Sequence, residues 1–259
     1  MNAFNPILLA GSLLIAPLGT ASAATAVPGA AIVYVNGINS TFDEAVASLQ
    51  ILKTQLNARD RNNSYVYGNA YNATRGFFSD VWQVFKQKTV EGSSPADFWR
   101  AIDGGTVPPG GMDAALQQKY IDILTRSNTP ELPNHLNQYR NYLKAQRKVV
   151  LVGHSQGSLY ANFEINLLAT GPERAQGRIT AVNVGNAARY QLPGSSYLTS
   201  TSDTVIGALG RVQTVLPANY SFGWSLSDPL GHSFSKIYMN TRYSAAGQIL
   251  TQVSQQARN

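Results

Sequence analysis

The stretch from Lys148 to Leu168 constrains this chain more than any other. Lys148-Val149-Val150-Leu151-Val152 is an apolar, β-branched run of the kind that forms a buried strand of a parallel sheet. It runs directly into Gly153-His154-Ser155-Gln156-Gly157. Behind that, Leu159, Phe163, Ile165, Leu167 and Leu168 recur at helical spacing. Strand, G-x-S-x-G and helix in that order describe a sharp turn that lifts a serine hydroxyl out at the end of a sheet. A side chain at either glycine is expected to collide with the neighbouring strand and helix. The N–H of Gln156, at the start of the helix, points where a developing oxyanion would sit. The bland alternative is a tight strand-to-helix turn with a serine N-cap.

The rest of the chain repeats the alternation. Ala30–Val35 reads as a buried strand, and Thr41 with Asp43 and Glu44 starts a helix that runs to about Asn57. Ser64–Tyr71 reads as a third strand. Residues 73–129 are helical and aromatic, with Phe77, Phe78, Trp82, Phe85, Phe98 and Trp99 among Gly/Pro-rich breaks. We read this segment as an insertion of short helices. A helix over Pro130–Gln146 returns the chain to the serine strand. Strands over Arg178–Val184, Tyr197–Ser200 and Arg211–Tyr220 follow, then a closing helix over Ser244–Gln256. Strands alternating with helices imply right-handed crossovers. The expected fold is therefore α/β: a mainly parallel central sheet flanked by helices on both faces, with a helical lid or cap insertion.

Residues 6–18 are apolar and uncharged, and Ala21-Ser22-Ala23 fits a small-x-small cleavage site. We therefore expect a signal peptide over residues 1–23, one domain over 24–259, and a secreted or periplasmic protein. The chain has no cysteine, which removes disulfides, thiolate metal sites and cysteine nucleophiles together. Net charge is +6, yet only 13% of residues are charged. The nearest basic cluster, Arg140, Lys144, Arg147 and Lys148, reads as a solvated helix face, so no nucleic-acid partner is expected. Transient contact with a membrane or lipid surface is compatible with the basic balance. No metal-ligand spacing is present, and neither a metal nor an organic cofactor is expected.

A serine hydroxyl becomes a useful nucleophile only when a base takes its proton and a carboxylate orients that base. There are three histidines. His154 belongs to the turn itself, and its side chain is expected to project away from Ser155. His135 lies on the Pro130–Gln146 helix. His232, in the loop Ser227-Asp228-Pro229-Leu230-Gly231-His232-Ser233-Phe234, is the preferred base, since catalytic histidines are presented on such loops. In the chain order serine, acid, histidine, the candidate acids are Glu164, Glu173, Asp203 and Asp228. Asp203 is preferred because it leaves a strand on the same sheet edge. Asp228 is the alternative, and a helix N-cap is the bland reading of Asp203.

With Gly153-His154-Ser155-Gln156-Gly157, Asp203, His232 and Asn36-Gly37 in place, the chain from Ala30 onward resembles the α/β-hydrolase superfamily, of the secreted esterase and lipase type. In that superfamily a His-Gly pair often follows the third strand, and the next residue donates one oxyanion-hole N–H. Here the pair reads Asn36-Gly37, with asparagine in the histidine's place. The resemblance implies Ile38 as that donor beside Gln156, and the superfamily's first two strands are absent or very short. It further implies that Ser155 attacks an ester carbonyl, His232 acts as general base and Asp203 fixes the imidazole tautomer. The aromatics of residues 73–129 then become either a wall for a hydrophobic, small-molecule or lipid-like ester, or packing of helices onto the sheet. Two other functions fit the same residues: an exported acyltransferase or thioesterase, and a non-catalytic binding module.

Overall fold

Three runs of hydrophobic residues set the frame. Ala31–Val35 (β1), Val149–His154 (β3) and Ile179–Val184 (β4) are buried at every position, which only a strand covered on both faces permits. In the computed structural model the described residues are 29–37, 40–72, 131–210, 214–222, 225 and 227–259. The expected signal peptide over residues 1–23, the expected insertion over 73–129 and Ile38 lie outside them.

β1, β3 and β4 are joined by Val66–Ala70 (β2) and Ser196–Leu198 (β5) in a five-stranded sheet of order β2-β1-β3-β4-β5. Every pairing is parallel. After β1 the chain steps outward to β2, and β3 then returns to the opposite side of β1. The crevice between β1 and β3 is thus a point where the strand order reverses, and ligands of open parallel sheets bind at the carboxyl ends there. The register sets Val35 beside Gly153 and His154 beside Val184, so the segments leaving β1, β3 and β4 emerge at one edge.

Helices cover both faces. Glu131–Lys144 (α2) and Gly157–Thr170 (α3) pack on one face, where Leu136, Tyr139, Leu151, Leu159 and Leu168 share a core. Phe42–Arg59 (α1) and Ser244–Arg258 (α5) cover the other, with Leu52, Leu56, Val150, Val182 and Ile249. α1 begins with the capping box that Thr41 and Glu44 suggest. The Thr41 hydroxyl accepts the Glu44 N–H, and the Glu44 carboxylate accepts the Thr41 N–H at 2.8 Å. Truncating a fully buried leucine such as Leu151 to alanine costs about 2–5 kcal/mol at a site that cannot collapse.

The elements match the expectations from sequence within a few residues, with three differences. No strand forms over residues 214–220; Tyr220 makes only a single parallel bridge to Ser200. Pro217 has no N–H to give a ladder, and most of the segment is exposed. A short helix, Thr204–Leu209 (α4), follows Asp203, and a π-helical turn over Phe234–Tyr238 follows His232.

Candidate functional site

Ser155 leaves β3 with φ at +55°, in the left-handed region that a non-glycine residue occupies at a cost of about 1–2 kcal/mol. Neighbouring structure holds it there. The Ser155 N–H donates to the Val184 carbonyl at 2.9 Å, and the Ser155 carbonyl accepts from both the backbone N–H and the hydroxyl of Ser158. Close approach of the chain explains the flanking glycines: a methyl at Gly157 would lie 2.1 Å from the Val35 carbonyl oxygen. Gln156 is the residue before α3. Among the described residues its backbone N–H meets no acceptor, so it is available at the helix N-terminus.

Asp203 and His232 meet. The ring Nδ1 of His232 lies 3.0 and 2.8 Å from the two carboxylate oxygens of Asp203. With an acceptor facing Nδ1, the proton of the neutral ring resides there and Nε2 keeps its lone pair. The buried carboxylate is further satisfied by the Tyr238 hydroxyl at 2.7 Å and the Ile206 N–H at 3.0 Å. Asp203 is therefore at once the N-cap of α4 and the partner of His232. The same oxygen that holds α4 in place helps to fix the ring. Burial, and next the charge of Asp203, push the Tyr238 phenol far above its ordinary value, so it remains a donor.

Asp228, the alternative acid, does not touch the ring. Its Oδ2 accepts the backbone N–H groups of His232 and Ser233 at 2.9 and 2.6 Å. His135 and Glu164 also stand apart. Their side chains are buried together, 2.8 Å apart, with the Tyr139 hydroxyl on the second carboxylate oxygen. Glu173 pairs with Arg140.

His154 has a neighbour that the sequence did not point to: its ring stacks on that of His232, centroids 4.9 Å apart, and the residue lines the same cleft as Ser155 and His232. β3 continues through His154, and strand alternation puts its ring on the face occupied by Phe234 and Tyr238.

Asn36 fills the place where the resemblance leads one to look for histidine. Its amide donates to the Gly37 and Asn72 carbonyls, its carbonyl oxygen accepts the Asn72 N–H, and the Asn72 amide donates back to the Asn36 carbonyl. This reciprocal clamp ties the exit of β1 to the exit of β2. Asn72, Tyr238 and Gly185 are site residues that sequence reasoning missed. Gly185 has φ at +52°, and a methyl there would come 3.1 Å from the Asp203 carboxylate and 3.5 Å from the His232 ring. A glycine directly behind an apolar strand was the available signal; Tyr238, among thirteen tyrosines, offered none.

Ser155 and His232 line one cleft of about 450 Å³, with Tyr34, Ile51, Phe234, Ser40 and Lys236 among its other lining residues. No hydrogen bond joins the Ser155 hydroxyl to the ring; such contacts commonly tighten only around a bound substrate. Among the described residues no cluster of His, Cys, Asp or Glu is placed to hold a metal ion, and no helix is long and apolar enough to cross a membrane. No family model matches the chain, and neither a curated protein nor a solved structure matches it.

Proposed function

We propose that this protein is an exported serine hydrolase of the α/β-hydrolase type that cleaves carboxylic esters through Ser155, His232 and Asp203. The observation that carries this reading is the two-oxygen contact of Asp203 on His232 Nδ1, in a cleft shared with a serine held at positive φ. Support also comes from the strand order, since β3 ends at the reversal point with Ser155 at its carboxyl end.

In the reaction, His232 Nε2 takes the Ser155 hydroxyl proton as Oγ bonds to the ester carbonyl carbon. Asp203 keeps Nδ1 protonated and offsets the imidazolium charge. The carbonyl oxygen, now an anion, receives the Gln156 N–H and, by the resemblance, that of Ile38. His232 returns its proton to the leaving alkoxide, which departs as the alcohol. Water, giving a proton to the same histidine, then attacks the acyl carbon; the bond to Ser155 Oγ breaks, the carboxylic acid leaves and the proton passes to Oγ. Tyr34, Ile51 and Phe234 in the cleft lining offer apolar surface to an acyl or aryl group. Residues 73–129 act as a lid or cap in this reading.

The test is intact mass after exposure to a fluorophosphonate, run beside Ser155→Ala. One adduct on wild type and none on the variant is the expected result, followed by an ester chain-length series. No adduct on either protein would remove the hydrolase reading and favour a non-catalytic binding module.

A further inference from the structure

The strand that delivers Ser155 also reaches the base through the side chain before it. His154 Nε2 lies 2.8 Å from the backbone carbonyl oxygen of His232. A carbonyl only accepts, so the proton of the His154 ring must be on Nε2. The two imidazoles lie face to face at a tilt, with centroids 4.9 Å apart and 36° between planes. Phe234 at 5.5 Å and Tyr238 at 6.3 Å close round the His154 ring. The ring is buried.

We infer that His154 is a positioning residue for His232: as a neutral Nε2–H donor it holds the carbonyl of the base's own residue, so that the nucleophile and the base are carried by one rigid unit. The inference rests on the hydrolase reading for its kinetic consequences, but not for its geometry. Asp203 fixes one edge of the His232 ring and Asp228 fixes its N–H. Without His154, the peptide after His232 would be held only from its other side, by the Ser233 N–H on Asp228, and the ring would sit less firmly relative to Ser155.

The chemistry also needs His154 to stay uncharged. His232 becomes a cation in each turnover, and a second imidazolium against it would oppose that step. Burial, and next the proximity of His232, push His154 down to about 3. The ring is therefore neutral wherever His232 can act as a base. A lysine or arginine could donate to the same carbonyl but would bring the unwanted charge.

Three substitutions separate this role from simple packing. Glutamine places an amide N–H near the Nε2 position. Asparagine places it near Nδ1, short of the carbonyl. Phenylalanine keeps the ring volume without a donor. His154→Phe and His154→Asn are expected to lower kcat on an aryl ester by about 100-fold with KM little changed, the scale of a small misplacement of reacting groups. His154→Gln is expected to recover to within about fivefold of wild type, the remaining loss reflecting the altered stack on His232. Thermal melts identify any variant that has failed to fold. His154→Phe at wild-type kcat, or His154→Gln as impaired as His154→Phe, would overturn the inference.

A second readout does not depend on turnover. In Ser155→Ala, imidazole NMR of the His232 Nδ1–H reports how rigidly that ring sits against Asp203. Adding His154→Phe is expected to broaden the signal and adding His154→Gln to preserve it. Equal signals in both would overturn the positioning role. Selective broadening beside an inert wild type would uphold the positioning role and dismiss the hydrolase.

Discussion

Asp228 holds His232 by its backbone and not by its ring. One carboxylate oxygen accepts the N–H of His232 at 2.9 Å and that of Ser233 at 2.6 Å, while the ring belongs to Asp203. The two acids therefore have separable effects. Asp203→Asn is expected to lower kcat by about 10⁴-fold, because an amide can offer Nδ1 an N–H and so favour the wrong tautomer. Asp228→Asn leaves the tautomer alone and only loosens the loop, at a cost of about 10- to 100-fold. Steady-state rates on one ester decide the order, and a larger loss in Asp228→Asn would mean the acid has been misassigned.

Ser155→Ala and Ser155→Gly should both be inactive yet differ in stability. Alanine retains the left-handed strain at +55°; glycine relieves about 1–2 kcal/mol of it and gives back about 0.5–1 kcal/mol in chain entropy. Urea unfolding is expected to find the glycine variant more stable by about 0.5–1 kcal/mol. Equal midpoints would mean that the turn does not store strain in the serine.

Local signals in the sequence were strong where one residue type did one job. The buried runs of β1, β3 and β4, the Thr41–Glu44 box and the Gly-x-Ser-x-Gly turn each have a chemistry readable from neighbours in the chain. Asp203 carried two readings, helix N-cap and partner of a histidine, and it satisfies both because a carboxylate has lone pairs enough for the Ile206 N–H and the His232 ring at once. Long-range roles were not legible. Tyr238 reaches Asp203 across 35 positions, and His154 reaches the His232 carbonyl across 78. Neither spacing has a periodicity, since both depend on how the loop after Asp228 folds over the sheet edge. The expected strand at Arg211–Tyr220 is missing from its described part, residues 214–220, for the opposite reason: its local composition suited a strand, but among the described residues the sheet ends at β5 and offers it only the Ser200 bridge.

Tyr238→Phe tests the support beneath Asp203. The hydroxyl lost is a donor to a buried carboxylate oxygen at 2.7 Å, and leaving that charge with one partner fewer costs about 1–3 kcal/mol. His232 Nδ1 and the Ile206 N–H remain, so activity is expected to fall about tenfold rather than vanish. Thermal unfolding beside kcat checks both parts. Unchanged stability would show that the hydroxyl is dispensable to the carboxylate.

The His135–Glu164 pair predicts how stability varies with pH. Nδ1 of His135 faces Glu164 Oε1 and Nε2 faces the Tyr71 carbonyl at 3.1 Å. Both neighbours are acceptors, so the protonated ring satisfies both at once. Burial disfavours that charge, but the charge and hydrogen bond of Glu164 outweigh it, with help from the Tyr71 carbonyl and Glu131, and His135 is raised above its ordinary 6.5. A histidine raised on folding stabilises fully below 6.5 and loses that contribution as pH climbs through the raised value. His154 has the opposite sign: held at about 3 when folded, its neutral burial costs nothing above 6.5 and increasingly destabilises as pH falls below it. Stability is expected to peak near neutrality, with His135→Gln flattening the alkaline flank and leaving the acid flank intact. His135→Ala, which leaves the buried Glu164 carboxylate with the Tyr139 hydroxyl but no cation, should cost about 3–5 kcal/mol at neutral pH. Urea midpoints measured across that range provide the check, and an alkaline flank that survives in His135→Gln would mean the pair does not carry the buried charge.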